Sequence, residues 1–102
     1  MTTSAIPAWR DQIAQLRYLA VMVARVHGPT HPAMATLSQV VVALADSSLG
    51  DQVAHVALGR RLGELTGDFH PWNGACGSVF QLYAGLKTVA AALPKARDGS
   101  QS

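Results

Sequence analysis

Charge is scarce in this chain. Charged residues make up only 14% of its 102 residues, against 49% hydrophobic, and Glu64 is the sole glutamate beside five aspartates. So few carboxylates argue against an acid-rich cluster that holds hard cations. The formal net charge is +2, and Arg60-Arg61 is the only adjacent basic pair. No basic stripe interleaved with aromatics exists, which argues against nucleic acid as a partner. Apolar runs such as Val40–Ala45 fall far short of a membrane span, so no membrane partner is expected. Met1–Ile6 carries no positive charge ahead of an apolar block and does not read as a signal peptide. Cys76 is the only cysteine, which excludes an internal disulfide and fits a reducing cytosol. No glycine-rich loop with Lys and Ser/Thr follows a strand, so nucleotide chemistry has no support, and no Ser/His/Asp arrangement suggests an enzyme.

What remains is a strongly apolar chain with helical spacing throughout. Length favours one domain over 1–94, with 95–102 polar enough to form a disordered tail. Trp9, Ile13, Leu16, Ala20, Val23 and His27 recur at intervals of four and three, which predicts a helix over 8–27. Pro7 suits its first turn, and Gly28 suits a left-handed cap. A second helix is predicted from Pro32 to Asp46, with Met34, Leu37, Val41 and Leu44 inward and Val40 and Val42 widening the stripe. A third runs from Asp51, its N-cap, to Leu65, with His55, Leu58, Leu62 and Leu65 on one face. A fourth spans Ala75 to Leu93, with Cys76, Val79, Tyr83, Leu86, Ala90 and Leu93 inward, and Pro94 stops it. Short connections predict an all-α, antiparallel four-helix bundle. Gly85 is expected to allow close helix approach, opposite Gly59 and Gly63. Trp9 and Trp72 are expected to anchor the core or an interface.

Polar residues on these stripes are the candidate site. His27 and His55 each occupy an inward position, where a ring needs partners away from water. A metal ion would supply them. So would a backbone carbonyl at a helix end. His31 is expected at the surface or capping the second helix. His70, close to Cys76 in sequence, could form a Cys–His pair. Cys76 lies in the first turn of the fourth helix and on its stripe, so it is read as core filling, with a reactive thiolate as the alternative.

The run Phe69–Leu86, with Pro71, Ala75-Cys76 and Leu82-Tyr83-Ala84-Gly85-Leu86, resembles a signature of one family. That family is the hemerythrin-like di-iron proteins that repair iron–sulfur clusters after nitric oxide or oxidative stress. Val26-His27-Gly28 with His31-Pro32 is similar to the family's Val-His-Gly-x-x-His-Pro segment, whose first His binds iron. Val53-Ala54-His55, followed by Leu65-Thr66, is similar to a segment that supplies a second ligand. The resemblance implies a hemerythrin-like bundle and assigns His27 and His55 as residual metal ligands, with iron as the expected metal. It also shows a shortened chain. Leu37–Asp51 has no His and no Glu where the family has a His and a Glu pair, and the family's ligand positions on the last helix fall near Ala96 and Ser100. Two expectations follow. In the first, residual metal binding is completed by a second copy of the chain across a two-fold interface. Alternatively, the bundle is a metal-free interaction module or regulatory dimer, using apolar faces against a protein partner.

Overall fold

The structure is a computed structural model, and residues 6–94 are described. The expected tail at 95–102, with the positions near Ala96 and Ser100, lies outside the described residues. Four helices make up the described chain: α1 (Ala8–His27), α2 (Ala33–Asp46), α3 (Gln52–Thr66) and α4 (Gly77–Ala92). No strand occurs among the described residues. The helices pack as a bundle in which α1 meets α2 and α4, and α3 meets the same two.

Each helix buries the face that its spacing dictates. Ile13, Leu37, Val41, Leu44, Leu62 and Leu86 are fully buried at the centre. Each such side chain contributes roughly 1.5–3 kcal/mol relative to exposure, so this apolar interior is the main stabilising term. Val40 is buried with them, as the widened stripe of α2 requires.

The helix ends follow local chemistry. Asp51 caps α3, its side chain accepting the Ala54 N–H at 3.1 Å. Pro7 sits one place earlier than expected, at the N-cap of α1. Gly28 is not a left-handed cap: its φ of −54° and ψ of −40° are right-handed. The His27 carbonyl accepts from both Thr30 and His31 N–H, and a right-handed turn carries the chain into α2. The left-handed cap is Gly67, at φ 59°, after α3.

One close approach differs from expectation. Gly85 does not face Gly59 or Gly63. An ideal Cβ at Gly85 would lie 2.8 Å from Leu16 Cδ2, so its missing side chain lets α4 seat a leucine of α1. Gly59 instead lies beside Leu93.

The start of α1 is tied to the end of α2 by Arg10. Its guanidinium donates to the carbonyls of Leu44, Ala45 and Ser47. These carbonyls belong to the last turn of α2 or just follow it, where regular i→i−4 donors run out, and Leu44 also accepts from the N–H and hydroxyl of Ser47. Arg10 also lies over the Trp9 ring at 5.1 Å, and Arg17 pairs with Asp46 at 2.9 Å on the exposed rim. Arg10→Ala is expected to destabilise the fold by about 1–3 kcal/mol, because it removes the guanidinium donor from the Ala45 and Ser47 carbonyls. Arg10→Lys should recover only part of that loss, since an ammonium cannot reproduce the planar fork. Urea denaturation of the three proteins checks both expectations.

Candidate functional site

The two histidines singled out in the sequence end up at opposite ends of α1. His55 is 2% exposed. Its ring meets Trp9, at the start of α1, edge-on with centroids 4.9 Å apart. His27 is the last residue of that 20-residue helix, and such a helix separates its ends by about 25–30 Å. One chain therefore does not bring His27 and His55 to one ion.

His55 has a protein partner at Nε2. Its Nε2 lies 3.0 Å from Ser47 Oγ, and that hydroxyl donates to the Leu44 carbonyl at 2.7 Å. Ser47 has one proton and gives it to Leu44, so His55 Nε2–H must donate to Ser47. In that tautomer Nε2 is the donor nitrogen and Nδ1 the acceptor. The spacing that placed His55 inward was correct. What it could not show was a serine eight residues earlier folding back onto the ring.

His27 has a different neighbour. Its Nε2 lies 3.2 Å from Cys76 Sγ, a contact between residues 49 apart in sequence. The expected backbone-carbonyl partner is not what the ring meets. Cys76 is also not core filling: it is exposed. It occupies the N-cap of α4 with extended backbone, φ −78° and ψ 167°. The helical stripe therefore begins after it, and Val79 is the first buried residue of α4.

The loop that delivers Cys76 is built by the end of α3. Buried Thr66 donates its hydroxyl to the Leu62 carbonyl at 2.7 Å and accepts the Phe69 N–H at 2.9 Å. Gly67, Asp68 and Phe69 all have left-handed φ values, of 59°, 59° and 68°. That conformation costs roughly 1–2 kcal/mol for each non-glycine residue. The Thr66 bonds and the packing of Phe69 against the core offset it. His70 is used within this turn, its Nδ1 lying 3.0 Å from the Gly67 carbonyl, and it does not pair with Cys76.

Trp72 then forms the platform of the site. His31 stacks on it at 3.9 Å with the rings 21° apart. His27 meets it edge-on at 5.6 Å, and Tyr83 at 6.4 Å. Behind it, Tyr83 donates its hydroxyl to Met34 Sδ at 3.8 Å. His31 is thus a stacking residue and not a cap of α2, whose N-cap is Pro32. The thiol and imidazole line an apolar groove of about 160 Å³ together with Leu19, Met22, Val23 and Val26, and with Ser78 of α4.

The pair offers two chemistries. An imidazole nitrogen at this distance can take a thiol proton. A thiolate and an imidazole together are also ligands for soft or borderline ions. Among the described carboxylates, Asp46 and Glu64 pair with Arg17 and Arg61, and Asp51 caps α3. Among the described residues, no group of three or more His, Cys, Asp or Glu side chains gathers at one point.

Burial raises the Tyr83 hydroxyl above its ordinary pKa by desolvating the phenolate. Below about pH 10 both folded and unfolded forms keep the proton. Above it the unfolded chain loses the proton first, so stability falls as pH rises past that value. The denaturation midpoint of wild type, measured against that of Tyr83→Phe across the alkaline range, should fall as pH rises past that value.

No protein-family model, no curated protein and no solved structure matches the chain.

Proposed function

We propose that this chain is a ligand-poor relative of the hemerythrin-like iron–sulfur cluster repair proteins, and that it binds one transition-metal ion through His27 and Cys76. Its role is metal handling under nitric oxide or oxidative stress. The carrying observation is the 3.2 Å approach of His27 Nε2 to Cys76 Sγ from distant parts of the chain. A tetrahedral ion with bonds of about 2.3 Å to sulfur and 2.0–2.1 Å to nitrogen holds those two atoms about 3.5 Å apart. The pair needs to open by only a few tenths of an ångström. A thiolate and an imidazole suit Zn²⁺ or Cu⁺ better than a hard cation, and iron takes the site less readily. A reducing cytoplasm keeps Cys76 available as a ligand.

The resemblance is supported by packing. The two segments that carry it most strongly, Val26–Pro32 and Pro71–Leu86, lie against each other through the rings of His27, His31, Trp72 and Tyr83. An antiparallel order for α1 and α2 is supported by Arg10, near the start of one, bonding the end of the other. His55 contributes to stability in this proposal and not to the ion.

A second reading, a metal-free interaction module, is favoured by one observation. Tyr18 and Val26 on α1 are 73% and 66% exposed, and Val53 on α3 is 83% exposed. Large apolar side chains left in water on two helices suit a protein partner.

Metal content after expression without a histidine tag separates the two. Wild type and His55→Gln are expected to retain metal, and His27→Ala and Cys76→Ser to lose it. Wild-type protein that is folded and metal-free after zinc, copper and iron have each been supplied would leave the interaction module as the better reading.

A further inference from the structure

Resting on that metal reading, we infer that the site is completed by a second copy of this chain, so that one ion joins two bundles through two His27 and two Cys76 side chains. A closed tetrahedral site takes four protein ligands. One chain brings a thiol and an imidazole together, and among the described residues no third ligating side chain joins them. A two-fold axis through the ion supplies the missing pair from the same surface patch, as an isologous interface does.

The surroundings suit this occupant. Cys76 is exposed and lines the groove. Beside it, Met22 and Val26 are 41% and 66% exposed. No charged side chain lines the groove, so a second copy meets apolar surface without like-charge repulsion. The ligand set also balances. Two thiolates and two neutral imidazoles around a divalent ion sum to zero, so closing the interface buries no uncompensated charge. Two thiols each lose a proton as the ion binds, and those protons go to solvent.

The full chain, stripped of metal by a chelator and kept reduced, is titrated with Zn²⁺ and separately with Co²⁺. Mass is followed by sedimentation equilibrium and bound ion by mass spectrometry. The expected result is a doubling of mass that saturates at one ion per two chains. Co²⁺ should give a thiolate-to-metal charge-transfer band and the intense visible bands of a tetrahedral site. Cys76→Ser should stay monomeric at every metal level while keeping its helical circular dichroism. Val26→Glu, which leaves the donors in place, should weaken the metal-induced dimer by about tenfold or more. One ion per chain at monomer mass would overturn the bridge and leave the single-chain metal site standing. A dimer that forms without metal and survives Cys76→Ser would also overturn the bridge. A chain that binds neither ion would overturn both the bridge and the metal reading beneath it.

Discussion

Arg10 closes one end of this bundle, and the polar arrangement there depends on it. Its guanidinium satisfies carbonyls of Leu44, Ala45 and Ser47, where α2 runs out of its own donors. That holds Ser47 in place, and Ser47 in turn holds His55. Trp9, the neighbour of Arg10, covers the other side of the imidazole. A buried histidine in a small apolar core would otherwise cost free energy. Here one arginine, one serine and one tryptophan make it an ordinary structural residue.

The opposite end is arranged differently. Among the described residues, no arginine closes it as Arg10 does the first. The end of α1, the loop after α3 and the start of α4 meet around Trp72 instead. The ring presents one face to His31 and sets its neighbours His27 and Tyr83 at steep angles. Tyr83 is buried and bonded to a thioether, which makes it part of the wall. His27 is only half-buried, and its partner is an exposed thiol. Two histidines with the same sequence signature therefore have different fates. One has its nitrogen taken by a serine that already has an acceptor. The other faces the only cysteine of the chain.

The bundle was largely legible because apolar spacing and helix punctuation act locally. The observed α1, Ala8–His27, has the bounds its stripe predicts. Asp51 caps α3 because a short carboxylate beside free N–H groups has little else to do. The failures were also local in appearance but tertiary in cause. Cys76 fits the stripe of α4 on paper, yet the helix starts one residue later and the N-cap geometry turns it outward. Gly28 suits a left-handed cap, but the chain instead turns right-handed so that the His27 carbonyl meets two N–H groups. Gly85 signalled a close approach, but not that the approaching group would be Leu16.

By itself the sequence determined that four helices form and which faces they bury, because those follow from a 3.6-residue repeat of apolar side chains and from residues that start or stop a helix. Only the tertiary structure decided which histidine is spent on stability and which is left with a thiol. That choice depends on residues far apart in sequence arriving within hydrogen-bond distance, and side-chain periodicity along one helix carries no information about what the next helix brings.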